Sequence, residues 1–323
     1  AAFSGFTLNG YVKFLDSDTE TGFEGKLNFT APAGVSGKFK AKFANVRLNT
    51  TAAFNTPSYY NYWYVDALIG FGRNGVPVFS GVNMYGIGGG LWYNMRQDVG
   101  YKINPSLLYT ENPTPPNTTS TSGIPYTKSF GSGYGFKIQG LFGDPEGGDK
   151  INMLLALEAQ IPASGGPTFS LKGDFRMMSK ITSYENDGSM SEDKKALWGR
   201  ATIILNMQED FISADFQMHA KISKNGLNII KGSGPGFRMV NADFFAKTAG
   251  ENFWYFYIGT PEDRGGVIAS LGAKNLSSSA YAMMGHGVDP ILPQPDDEFL
   301  LMLNAASSSY SANGDVQSIL NVD

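Results

Sequence analysis

Between residues 197 and 222 the chain alternates with unusual regularity. Ile212, Ala214, Phe216, Met218, Ala220 and Ile222 are apolar, and Ser213, Asp215, Gln217, His219 and Lys221 separate them. Such alternation predicts a strand with one dry face and one wet face. Leu197, Gly199, Ala201, Ile203, Leu205 and Met207 answer it on the preceding strand, and Gln208-Glu209-Asp210 is the right length for the hairpin loop between them. The pattern places Phe216 and Met218 inside, and Asp215 and Gln217 against water or a polar lumen.

The same pattern recurs along the chain. Residues 6–15 read as a first strand. Gly22-Phe23-Glu24-Gly25-Lys26-Leu27 and Gly34-Val35-Ser36-Gly37-Lys38-Phe39 form a short internal repeat, each copy opening an alternating strand. Lys38, Lys40 and Lys42 lie opposite the apolar positions of the second, as a solvated face or a strip for an acidic partner. Residues 78–95 read as a strand pair or one long bent strand. Gly86, Gly88, Gly89 and Gly90 interrupt it, which marks bulges or close backbone approach. Residues 104–129, rich in Pro, Thr and Ser, break the alternation and predict a long loop with a disordered tip or an interior linker. It resumes through Ile151, Met153, Leu155, Leu157, Ala159 and Ile161, and again through Phe169, Leu171, Phe175 and Met177. Residues 229–284 add about four strands. Prolines 290, 293 and 295 then end the sheet, and Asp296-Asp297-Glu298 ahead of an apolar run predicts one short helix over 297–306.

These elements predict an all-β, mostly antiparallel meander forming a sandwich or a large curled, elongated sheet, with one short C-terminal helix. The regions are 1–103, the loop 104–129, a main antiparallel region 130–289, and a proline-rich exit with helix and tail, 290–323.

Composition agrees. Charged residues make up 17% of 323, against a usual ~25%, and Gly 40, Phe 23 and Tyr 16 are abundant. A net charge of −4 gives no basic footprint for nucleic acid. The absence of cysteine excludes disulfides, zinc-thiolate sites and thiol catalysis, and fits an exported protein. A start at Ala1-Ala2-Phe3 without Met suggests a removed signal peptide or a piece of a longer chain. No run reaches the ~18 apolar residues of a transmembrane helix.

Candidate chemistry is sparse. Gly70-Phe71-Gly72-Arg73-Asn74-Gly75 has dinucleotide-motif spacing, but Val76-Pro77-Val78-Phe79 follows, which is strand chemistry and not the helix that would hold a pyrophosphate. His219 and His286, the two histidines, lack metal-ligand spacing, and no serine sits in a nucleophile elbow. Carboxylates cluster in turns, where solvation explains them. The reading assigns no catalytic residue, no cofactor and no metal. The dense aromatic groups give interface candidates at Tyr60, Trp63, Trp254 and Tyr257, since aromatic anchors dominate interface energetics.

Residues 253–264, Tyr281-Ala282-Met283-Met284-Gly285-His286, Leu292-Pro293-Gln294-Pro295 and Gly88-Gly89-Gly90-Leu91-Trp92-Tyr93-Asn94-Met95 resemble segments of very long secreted or surface proteins of Bacteroidota. The resemblance implies export and a modular β-rich parent chain, and carries no activity. The expected function is a non-catalytic extracellular or cell-surface module, structural or adhesive. Its partners would be other protein modules or copies of itself. An outer-membrane β-barrel, whose strands also alternate and which carries aromatics at both interfaces, is the alternative. A carbohydrate-binding or carbohydrate-active module, with a glycan as partner, and a groove holding lipid along an open apolar sheet are further alternatives.

Overall fold

The structure is a computed structural model. It describes residues 2–3, 5–47, 59–97, 121–122, 126–179, 181, 196–224, 227–248, 250, 252–271, 274–288 and 317–322. The helix expected over 297–306 and residues 104–120 and 123–125 of the expected loop lie outside these. The protein is all-β and antiparallel, and forms two compact units, Ala1–Lys195 and Ala196–Asp323. The division falls inside the stretch 130–289 that the sequence reads as one region.

In the first unit the strands are β1 (Ala2–Phe3), β2 (Phe6–Asp16), β3 (Glu20–Thr30), β4 (Ser36–Arg47), β5 (Tyr59–Gly70), β6 (Val76–Phe79), β7 (Val82–Tyr93), β8 (Met95–Gln97), β9 (Tyr126–Lys128), β10 (Tyr134–Gly143), β11 (Ile151–Ile161) and β12 (Thr168–Met177). Strands β2, β3, β4, β5, β7, β10, β11 and β12 pair in that order in one antiparallel ladder. Strand β1 adds a short hairpin to β2, and β6 pairs with the start of β7 beyond the end of β5. The β8–β9 pair stands outside the ladder, and β9 falls within the segment 104–129 expected to be loop.

In the second unit the strands are β13 (Leu197–Asn206), β14 (Phe211–Lys224), β15 (Leu227–Gly232), β16 (Arg238–Lys247), β17 (Phe253–Ile258), β18 (Gly265–Leu271), β19 (Lys274–His286) and β20 (Gln317–Val322). β13 pairs with β14, β14 with both β15 and β16, β16 with β17, and β15 with β18. β17 and β18 both pair with β19, and β19 with β20. The hairpin read at 197–222 is β13–β14, with Gly199 opposite Met218 and Ala201 opposite Phe216.

The faces of the first sheet are inverted relative to a water-soluble sheet. One face is apolar and open: Val12, Phe14, Val65, Leu91, Ile138, Ile151, Leu157, Ile161 and Leu171 are all exposed there. The opposite face, which carries the polar and charged side chains together with the apolar residues Leu68, Leu141 and Leu154, is the buried one. Asp66, Lys137, Gln139, Asn152 and Arg176 are buried there beside Tyr62, Tyr64 and Trp92. In the second sheet Ile203, Leu205, Ile212, Ile258 and Met284 of the apolar face are exposed. Phe216, Met218, Asp215 and Gln217 are all half-buried. The expectation of a dry apolar face and a wet polar one is therefore corrected at Phe216 and Met218, which are no more enclosed than their polar neighbours. Alternation fixes which side chains share a face; what covers that face is decided elsewhere.

Candidate functional site

Two surfaces of the first unit stand out, the exposed apolar face and the buried polar one. The apolar face carries a lateral line of rings. Phe14 pairs in register with Phe23, Phe23 with Phe43, Phe43 with Trp63, Trp63 with Tyr93 and Tyr93 with Tyr134. Phe23 and Phe43 stack at 5.2 Å, Phe43 and Trp63 at 6.0 Å, and Trp63 and Tyr93 at 6.4 Å, while Tyr93 and Tyr134 meet tilted at 4.6 Å. On one side of this line the face is aliphatic, aromatic or glycine: Val65, Ala67 and Ile69 on β5, and Phe136, Ile138 and Gly140 on β10. On the other side Asn45, Arg47 and Asn61 follow. The line thus separates an uncharged band from a polar margin.

On the polar face the chain folds back over its own sheet. Asn94, at the end of β7, adopts a left-handed φ of 51°, a conformation asparagine tolerates better than most residues. The Asn94 amide donates to Gly133 O at 2.7 Å, and its side-chain Nδ2 donates to Asn61 O at 2.8 Å. The turn sends β8 off the ladder, and β9 returns beside it with Arg96 opposite Thr127. Met95 and Tyr126 of this hairpin are buried with Tyr62, Tyr64 and Trp92. The Tyr126 ring lies 4.9 Å from Trp92 and 5.6 Å from Tyr64.

Asp66 anchors this inward segment. It is 0% exposed. Its carboxylate accepts from the Ser122 amide at 2.5 Å, the Ser122 hydroxyl at 2.6 Å and the Tyr126 hydroxyl at 3.5 Å. Gln139 Nε2 donates to Ser122 O at 3.4 Å. These bonds answer the burial of a carboxylate, which is costly without partners. Gly90 faces Asp66 in register, and a Cβ there would stand 2.8 Å from the Tyr126 hydroxyl. Gly135 has a different tenant: Trp92 lies flat over it, 2.1 Å from where a Cβ would be. The close-approach reading of the strand glycines holds at Gly90.

Charged side chains on this face are matched across strands. Lys137 contacts Glu158 at 2.5 Å, and Lys172 reaches the other Glu158 oxygen at 3.1 Å. Glu20 takes Lys42 at 2.7 Å and Lys128 of β9 at 3.4 Å, and accepts a short hydrogen bond from the Tyr62 hydroxyl. Lys40 pairs with Glu24 at 3.4 Å. The lysine strip of β4 is therefore partly neutralised by β3. A cavity of ≈ 270 Å³ remains beneath the hairpin, bounded by Glu24, Lys42, Tyr62, Tyr64, Tyr126 and Lys128 among others.

The four interface candidates are not brought together. Trp63 belongs to the line of rings on the apolar face, whereas Tyr60 turns to the other face and meets Phe130 edge-on at 5.4 Å. In the second unit Trp254 shares the apolar face with Phe256, and Tyr257 stacks on Tyr255 at 4.6 Å on the opposite one. His219 stacks on Trp198 at 4.8 Å and shares a hydrogen bond with Gly236 O through Nδ1 at 3.0 Å. His286 pairs in register with Trp254 on the apolar face. Among the described residues no three His, Asp or Glu side chains gather to hold a metal ion. Sequence reasoning passed over Asp66, Ser122, Lys137 and Glu158. The signal for Lys137 and Glu158 was their opposite charge at polar-face positions of adjacent strands; Ser122 gave none. No protein-family model matches the chain, and no curated protein matches it.

Proposed function

We propose that the chain forms the wall of an outer-membrane-type transmembrane β-barrel, its apolar face against lipid and its polar face inward. The observation that carries this reading is the exposed, uncharged band edged by a continuous line of aromatic rings. A soluble sheet buries its apolar face against another layer, and monomeric soluble proteins rarely expose a large contiguous apolar surface. Bilayer hydrocarbon is the solvent for which this arrangement is favourable. Tyr and Trp at the rim suit the headgroup level, and a barrel interior is polar.

Dimensions support it. The ladder strands of the first unit are 10 to 12 residues long, near the ~9–11 a tilted strand needs to span a bilayer. From Ile151 to Ile161 the apolar positions of β11 run about 34 Å at ~3.4 Å per residue. At the ~40° tilt of barrel strands this gives about 26 Å of height, against an apolar band of about 25 Å. No helix among the described residues is long and apolar enough to cross a membrane, and a barrel crosses with strands. Closure would also remove the free sheet edges that otherwise invite aggregation. In this reading the chain works without turnover and without a cofactor, and its cell-surface partner is lipid.

The test is dependence on amphiphile. The refolded chain is expected to be monodisperse in detergent or bilayers and to aggregate when these are removed. A chain that stays monodisperse in plain buffer, with its β signal intact, would overturn the lipid reading and favour a surface module whose apolar face meets protein.

A further inference from the structure

We infer that the polar face of the first unit lines a water-filled path for small hydrophilic solutes and ions, and that the inward β8–β9 hairpin with Thr121 and Ser122 sets its width. The inference rests on the barrel reading, since a polar face becomes a path only when the wall closes around it.

Three features of that face point to water. Its buried residues include Lys137, Gln139, Asn152 and Arg176, groups that a dry core would not accommodate at this density. Gln139 Oε1 and Asn28 Oδ1 are buried without a protein partner, the condition that ordered water satisfies. The cavity beneath the hairpin is edged by both signs of charge and by tyrosine hydroxyls.

The β8–β9 pair and Ser122 are tied to the wall at several points. The ties are the Asn94 turn at one end, Tyr126 against Trp92 and Tyr64 at the middle, and Ser122 on Asp66 beyond. The Lys128 ammonium reaches across to Glu20 and lies 5.2 Å from the Tyr62 ring centre. Non-helical chain inside a membrane protein is tolerated where it lines a water-filled cavity, and its position then governs what passes, through pore width and lining groups. Because Lys137 and Lys172 share the single carboxylate of Glu158, and Lys42 and Lys128 that of Glu20, each cluster keeps one net positive charge, and the path is expected to select by size and to favour anions.

The experiment reconstitutes the full chain in planar bilayers and in liposomes. Conductance is read in potassium chloride, and swelling is read with a pentose and a disaccharide. The variant D66A/S122A removes the anchor. It is expected to raise single-channel conductance several-fold over wild type and to admit the disaccharide more readily. D66N keeps an acceptor for the Ser122 amide and is expected to stay close to wild type. If the double variant does not fold, S122A alone carries the same expectation in smaller measure, since it removes only a hydroxyl. Insertion is checked separately by quenching of Trp63 emission with brominated lipid, in a background where Trp92, Trp198 and Trp254 are Phe. Inserted chain whose conductance is zero in every variant, or unchanged by loss of the anchor, would overturn the constriction while leaving the barrel standing. Wild-type chain that shows no lipid quenching would overturn the barrel itself.

Discussion

A charge placed at different depths on the apolar face separates lipid from water as its surroundings. Ile138 is 58% exposed and lies in register between Gly89 and Leu157. Tyr134, on the same face of β10, belongs to the line of rings. The distance between them is about 13 Å along the strand at ~3.3 Å per residue. At a tilt of ~40° that is about 10 Å of height, close to half of a ~25 Å band. In the proposed barrel Ile138 would sit near the bilayer midplane. Ile161, 45% exposed, pairs directly with Tyr134 at the rim. In lipid, Ile138→Arg should cost about 2–4 kcal/mol and Ile161→Arg about 0–1 kcal/mol. In water both sites are surface positions away from any special feature, and each should change stability by less than about 0.5 kcal/mol. The assay is reversible denaturant unfolding from phospholipid bilayers, followed by tryptophan emission, with equal m-values confirming the same transition. Equal small effects at the two depths would refute the assignment of this face to lipid.

Two further outcomes follow from the polar side chains. Glu158→Gln leaves the Lys137 ammonium, whose side chain is 0% exposed, without its counter-charge. It should destabilise by roughly 3 kcal/mol, and the pair Lys137→Met with Glu158→Leu should recover most of this, both read as shifts in denaturation midpoint. Asp144 lies in the turn after β10. Partial burial pushes its carboxyl up, but the amides of Ile151, Lys150 and Glu146 outweigh that and hold it below the ordinary value. Its contribution is therefore present above the unfolded carboxyl pKa of about 3.9 and is lost as pH falls through the lower folded value. The gap in midpoint between wild type and Asp144→Asn should be constant at neutral pH and should close in acid; a gap that widens in acid would contradict the bonding seen at this turn.

How much of this was legible in the sequence depends on the range of the interaction. Period-two alternation is local, so β13, β14 and β11 could be read with their faces correctly sorted. Which face is dry is not a local property. The row Ile212, Ala214, Phe216 and Met218 would look the same against a second sheet or against lipid, and a reading tuned to soluble sheets assigns it to the interior. The feature that breaks the symmetry is lateral. Phe14, Phe23, Phe43, Trp63, Tyr93 and Tyr134 form one line only once five registers are known. Apart in the sequence, Trp63 is one member of an aromatic cluster and Phe14 is one strand residue. The inward segment was hidden for a different reason. Ser122 and Asp66 are 56 residues apart, and a Thr/Ser-rich run has no periodicity to show that its end is pinned. Gly90 did carry a trace of it, as a strand glycine whose missing side chain makes room for Tyr126. A bare strand position argues that something approaches the backbone; only the paired sheet says from which face, and here it comes from the polar one.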